Sequence, residues 1–138
     1  MKVYTVGYGN RSPGQLLDLL IGKGIKRVDD VRLRPDKAHT GSFVKAKSND
    51  KGIEALLNEA GIAYTSFVEL GNVFMDYTDW RERYETLLLC AGDLLTERLA
   101  QMQPPLCLLC SETRASDCHR EYIATYLAQR GWEVEHIE

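Results

Sequence analysis

Leu106-Cys107-Leu108-Leu109-Cys110 is an apolar run, bounded by Pro104-Pro105 before it and by Ser111-Glu112-Thr113-Arg114-Ala115-Ser116-Asp117-Cys118-His119-Arg120 after it. The run reads as a buried strand. Seven polar-leaning residues then lead to the helical spacing of Ile123, Ala124 and Leu127. Asp117 suits a helix N-cap, because its carboxylate accepts a first-turn N–H. That predicts Cys118, His119 and Arg120 in the first turn of a helix, with Cys110 closing the preceding strand. A strand end, a polar loop and a helix N-terminus together make a cradle for an anion.

Working outward, the same unit recurs. Residues 2–7 read as a strand, and Gly7-Tyr8-Gly9-Asn10-Arg11 breaks it. Ser12-Pro13-Gly14-Gln15 opens a helix as a capping box with proline at the first position. Residues 25–31 read as the second strand and residues 32–48 as a long polar loop, of the kind that is usually functional or mobile. Asp50 is a candidate cap for a helix carrying Ile53, Leu56, Leu57 and Ala60, and residues 62–67 form the third strand. Asp79-Trp80-Arg81-Glu82 resembles a capping box ahead of the longest helix. The last helix runs from Cys118 to Arg130, and residues 132–137 form the last strand. Gly24, Gly61 and Gly131 each precede an apolar strand start, as expected of glycine in a left-handed helix cap. The sum is a single α/β domain over 1–138. It has three layers, with a mainly parallel sheet of about five strands and helices on both faces.

Composition bounds the function. The chain has 138 residues, 44% hydrophobic and 27% charged, with a net charge of -3, so no bulk basic signal points to nucleic acid. No leader pattern and no membrane-length apolar run is present, which makes a cytoplasmic location the expectation. In such a reducing compartment the four cysteines are expected as thiols, metal ligands or catalytic groups rather than disulfides. Cys107, in mid-strand, and Cys90, on the long helix, read as small apolar core residues.

Ligands of an open parallel sheet bind outside the carboxyl ends of its strands. Four predicted strand ends carry the unusual residues: Gly7 to Arg11, Asp30 with Arg32 and Arg34, Glu69 with Gly71 and Asn72, and Cys110 to Arg120. The glycine loop either brings backbone N–H groups to a phosphate, with Gly7, Asn10 and Arg11 as binding residues, or is a tight turn with Gly7 pressed against a neighbouring strand. Its glycines do not fit the dinucleotide fingerprint. Arg32 either clamps an anion, with Asp30 orienting it or acting as a base, or forms an internal ion pair with Asp30. Cys110 and Cys118 are candidate nucleophiles, since a helix N-terminus and nearby arginines favour thiolate, and His119 joins them as an acid–base group. Cys110-x7-Cys118-His119 matches no common zinc spacing, and the sequence assigns no metal ligands and no cofactor. Nor is it the Cys-x5-Arg loop of phosphotyrosine phosphatases, because position 116 is serine.

Taken in order, several motifs resemble the domain of unknown function 488 family. They are Val6-Gly7-Tyr8-Gly9-Asn10-Arg11-Ser12, Asp30-Val31-Arg32 with Pro35 and Phe43, Glu69-Leu70-Gly71, Leu109-Cys110-Ser111-Glu112, Cys118-His119-Arg120 and Val134-Glu135-His136-Ile137. The resemblance spans nearly the whole chain and implies a small α/β protein. Its matching positions are Arg11, Asp30, Arg32, Glu69, Cys110, Glu112, Cys118, His119 and Arg120. Gly9 and Ser111 depart from the family pattern, which often has a hydroxyl residue and alanine there. The family carries no activity to transfer.

The leading expectation is an enzyme for a small anionic substrate, a nucleotide or phosphorylated compound. Its catalytic candidates are Cys110, Cys118, His119, Glu69 and Asp30; its binding candidates are Gly7, Asn10, Arg11, Arg32, Glu112 and Arg120. One alternative is a noncatalytic nucleotide- or nucleic-acid-binding module using Arg11, Arg32, Arg34, Lys37, Lys45 and Lys47. The other is a thiol or metal sensor.

Overall fold

In the computed structural model, which describes all 138 residues, strand β4 (Leu106–Cys110) is buried at every position. It lies at the centre of a five-stranded, all-parallel sheet of order β3-β2-β4-β1-β5. The other strands are β1 (Lys2–Gly7), β2 (Arg27–Asp30), β3 (Ala63–Ser66) and β5 (Glu133–Ile137). The helices are α1 (Pro13–Gly22), α2 (Gly52–Glu59), α3 (Trp80–Leu95), α4 (Glu97–Ala100) and α5 (Arg120–Ala128).

Period-two alternation sends the two faces of β4 into two cores. Leu106, Leu108 and Cys110 join Tyr84, Leu88, Leu99, Ile123 and Leu127 beneath α3, α4 and α5. Cys107 and Leu109 join Leu16, Leu20, Ile53 and Leu57 beneath α1 and α2. The chain leaving β1 therefore crosses one face, and the chain leaving its neighbour β4 crosses the other. This is the topological switch at which α/β sheets open a crevice. The expected glycine caps are present: Gly24, Gly61 and Gly131 have φ of 69°, 75° and 94°. The Ser12–Gln15 capping box is reciprocal, with Gln15 N–H donating to Ser12 Oγ and Ser12 N–H to Gln15 Oε1.

Several local expectations are corrected. Asp117 does not cap α5. Residues Ala115–Asp117 form a 3-10 turn, Cys118 is extended, and His119 is the N-cap residue. The Cys118 N–H turns back to the Ala115 carbonyl at 3.0 Å, and the Cys118 sulfur accepts the Arg120 N–H at 3.4 Å. A sulfur thus takes the capping place, and Asp117 is left exposed. Asp79 makes no cap bond either; its carboxylate accepts Arg83 Nε at 2.7 Å. Helix α2 starts after Lys51, with no side-chain cap from Asp50. Cys90 lies on the exposed side of α3, not in the core.

Candidate functional site

A cleft of about 350 Å3 opens at the carboxyl edge of the sheet. The β4 loop supplies Cys110, Ser111 and Glu112; the β2 loop supplies Arg32, Leu33, Arg34 and Lys37. Tyr8 enters after β1, Asn72 and Met75 after β3, Trp80 from the start of α3, and Asp117, Cys118 and His119 from the approach to α5. Of the expected residues, Arg32, Cys110, Glu112, Cys118 and His119 share this cleft. Asn10 and Arg11 line the adjoining cavity instead, which also touches Tyr8, Lys37 and Ser111. Glu69 lines neither; it accepts both Arg98 Nε and Nη2, at 2.7 and 2.8 Å, on the outside of the fold.

The glycine loop is a packing device. Gly7 pairs with Cys110 across β1 and β4, and a Cβ at Gly7 would sit 1.6 Å from the Glu112 carbonyl oxygen. Beyond the sheet the two loops continue side by side. Tyr8 N–H donates to the Cys110 carbonyl at 3.2 Å and Gly9 N–H to that of Ser111 at 2.6 Å. Thr113 Oγ1 donates to the Gly9 carbonyl at 2.8 Å. The Tyr8, Gly9, Ser12 and Gln15 N–H groups are thus all committed to partners within the protein. Arg11 binds the carbonyls of Gly7 and Glu138, at 2.8 and 2.9 Å. Fully buried Arg120 straps the β4 loop from the other side, donating to the carbonyls of Glu112 and Thr113 at 2.6 and 3.1 Å.

Asp30 and Arg32 form the internal pair. The carboxylate of Asp30, 0% exposed, accepts Arg32 Nε and Nη2, with the closest contact 2.7 Å, and also the Arg32 backbone N–H and the Tyr64 hydroxyl. Arg32 Nη1 donates to the Phe43 carbonyl at 2.7 Å and to Tyr8 Oη at 3.2 Å. Burial opposes the guanidinium charge, but the bonds and charge of Asp30 outweigh it and push the Arg32 pKa up. Burial and the neighbouring Asp30 push Tyr64 up as well. The long polar loop is anchored through this pair: Phe43 is buried and stacks on Tyr8 at 4.6 Å.

The floor of the cleft is a sulfur–imidazole cluster. His119 Nδ1 lies 3.6 Å from Cys118 Sγ and 4.0 Å from Cys110 Sγ. On the far side of the ring, Nε2 is 2.8 Å from the Val31 carbonyl. A carbonyl only accepts, so Nε2 carries a proton, and Nδ1 is the nitrogen turned to the two sulfurs. Tyr84 packs edge-on against the ring, with centroids 5.2 Å apart, and donates its hydroxyl to the Leu70 carbonyl at 2.6 Å. Glu112 Oε2 accepts Ser111 Oγ at 2.9 Å and lies 3.4 Å from Cys110 Sγ. The hydrogen bond with Cys118, together with burial, pushes the Cys110 thiol well up. The donor atoms of Cys110, Cys118 and His119 all fall within 4.8 Å of one another, although their sequence spacing matches no common zinc pattern.

Sequence reading missed Tyr8, Tyr64 and Tyr84 as parts of the site. Only Tyr8 carried a signal, an aromatic set between two loop glycines. Tyr84 sat in an apolar helical pattern, and nothing local marks Tyr64 as a partner of Asp30.

Fold and cluster define an α/β protein with a buried Cys/His centre at the carboxyl edge of a parallel sheet. The chain belongs to the family described as domain of unknown function DUF488, whose profile matches residues 12–127. No curated protein and no solved structure matches it. No helix is long and apolar enough to cross a membrane.

Proposed function

We propose that the protein is an enzyme that takes a small anionic substrate, a nucleotide or another phosphorylated compound, into the cleft above Cys110, Cys118 and His119. The observation that carries this reading is the placement of a two-sulfur, one-imidazole cluster at the floor of a ligand-sized cleft. The cluster supplies the reacting centre, and the Glu112 carboxylate beside Cys110 is the candidate acid–base group. Attraction for an anion comes from the β2 loop. Lys37 has no carboxylate partner, and Arg34 holds Asp36 in an exposed pair that contributes little and exchanges readily. Arg32, Asp30 and Glu69 leave the reacting set, because each is committed to an internal partner. A nucleic-acid surface is less well supported, since Asp30 and Glu54 neutralise Arg32 and Lys45.

The test is thermal unfolding with AMP and with inorganic phosphate at constant ionic strength. A saturable rise in Tm for the wild type, lost in Lys37→Ala, is the expected result. No saturable rise with either probe, or a rise unchanged in Lys37→Ala, overturns the anionic-substrate reading.

A further inference from the structure

We infer that Cys110, Cys118 and His119 are the three protein ligands of one zinc-class divalent metal ion whose remaining coordination position faces the cleft. The inference deepens the reading of the cleft as a reaction centre.

Geometry is the first argument. Zinc–sulfur bonds of about 2.3 Å and zinc–nitrogen bonds of about 2.0–2.1 Å in a tetrahedron place the donors of neighbouring ligands roughly 3.6–3.8 Å apart. The 3.6 Å between Cys118 Sγ and His119 Nδ1 already meets that spacing, and the 4.0 Å from Cys110 Sγ to the same nitrogen is close to it. All three donors lie within 4.8 Å of one another, so side-chain movements of about 1 Å or less bring them to that spacing.

The surroundings are those a metal ligand needs. A ligating histidine is usually fixed by its other nitrogen, which donates to a carbonyl or carboxylate. The 2.8 Å bond from Nε2 to the Val31 carbonyl does this and aims Nδ1 at both sulfurs. The Arg120 N–H already donates to the Cys118 sulfur, a bond that strengthens when the acceptor is a thiolate. The donor set, two sulfurs and one imidazole, selects borderline-soft metals over magnesium or calcium. Binding exchanges two S–H protons for the metal: M2+ joins two thiols and one neutral imidazole, and two protons leave to solvent. The product carries no net charge, so filling this buried pocket adds no uncompensated charge to it.

Three protein ligands with an open fourth position are the arrangement of catalytic rather than structural zinc. All three residues line the cleft, and so does Glu112, 3.4 Å from Cys110 Sγ. A water in that position would stand beside the carboxylate.

The experiment uses the reduced full chain, stripped with a chelator and titrated with Zn2+ against a chromophoric competitor, then with Co2+ followed by absorbance. One equivalent per chain is expected, together with tetrahedral Co2+ bands and thiolate-to-cobalt charge transfer. Cys110→Ser, Cys118→Ser and His119→Gln should each weaken Zn2+ by about 100-fold or more, beyond what losses outside the ligand shell produce. Cys90→Ser should bind as wild type. Absence of stoichiometric binding, a cobalt spectrum without thiolate charge transfer, or affinity unchanged in the ligand variants overturns the inference. Should one variant fail to fold, the wild-type cobalt spectrum and the other two still decide. Zinc binding without any phosphate or AMP effect would overturn the anionic substrate and leave the metal. The reverse result would overturn the metal alone.

Discussion

Arg32→Ala is expected to damage the fold before it damages any binding. The substitution leaves the Asp30 carboxylate, 0% exposed, without its guanidinium and with only the Tyr64 hydroxyl and the Arg32 backbone N–H as donors. It also strips the Phe43 carbonyl and Tyr8 Oη of their Arg32 donor. Both partners are buried, so solvent does not screen the loss. Breaking such a pair from one side costs about 3–5 kcal/mol. For a chain of 138 residues each kcal/mol moves Tm by roughly 3–4 °C, which puts the expected fall at about 9–20 °C. Urea unfolding of the wild type, Arg32→Leu, Asp30→Leu and the double variant supplies the cycle. The double variant should lose less than the sum of the singles by more than about 1 kcal/mol, because it leaves no orphaned charge. A loss below about 1 kcal/mol in Arg32→Ala, with anion binding abolished, would refute the internal pair and return Arg32 to the role of an anion clamp.

Three other outcomes follow from the packing. Gly7→Ala forces a Cβ onto the Glu112 carbonyl, which belongs to backbone and cannot swing aside; about 3 kcal/mol or more should be lost in chemical denaturation, against roughly 1–2 kcal/mol for Gly61→Ala, whose only burden is its φ of 75°. A bulky disulfide reagent should label Cys90 first, since Cys90 is exposed while the other three cysteines are buried; rapid labelling that survives in Cys90→Ser would contradict this, and it reverses the order expected from thiolate chemistry alone. Hydrogen bonds from Arg98 hold the Glu69 carboxyl below its usual range, so this pair stabilises the fold above the unfolded value of about 4.3 and the benefit disappears as pH falls through the lower folded value. The partly exposed pair keeps the gap between wild type and Glu69→Gln within about 1 kcal/mol at pH 7; urea midpoints at pH 7 and pH 3 should show it shrinking, and a gap that widens in acid would be the wrong sign.

The sheet was legible because its signals are local. The unbroken apolar run at 106–110, the glycines at 24, 61 and 131, and the Ser12–Gln15 box each act within a few residues of themselves. The capping expectations failed at Asp50, Asp79 and Asp117, where a competing partner took the side chain or another atom took the cap. For Asp79 the competitor was Arg83, and at α5 the Cys118 sulfur replaced Asp117. The candidate site was legible as a list of residue types at strand ends, since parallel topology sends those ends to one edge.

The amino-acid order by itself therefore determined the α/β class, the alternation of strands and helices, and Cys110, Cys118 and His119 as residues of interest. Only the tertiary structure decided how these residues are partnered. Asp30 is joined to Tyr64 across 34 positions, His119 to Val31 across 88, and Thr113 to Gly9 across 104. No local pattern encodes such pairs, because they arise from strand order, which places β4 between β1 and β2. That order set the Gly7 loop against the β4 loop as a close-packed seam. It also gathered two cysteines eight positions apart, and the histidine beside one of them, around a single point in space.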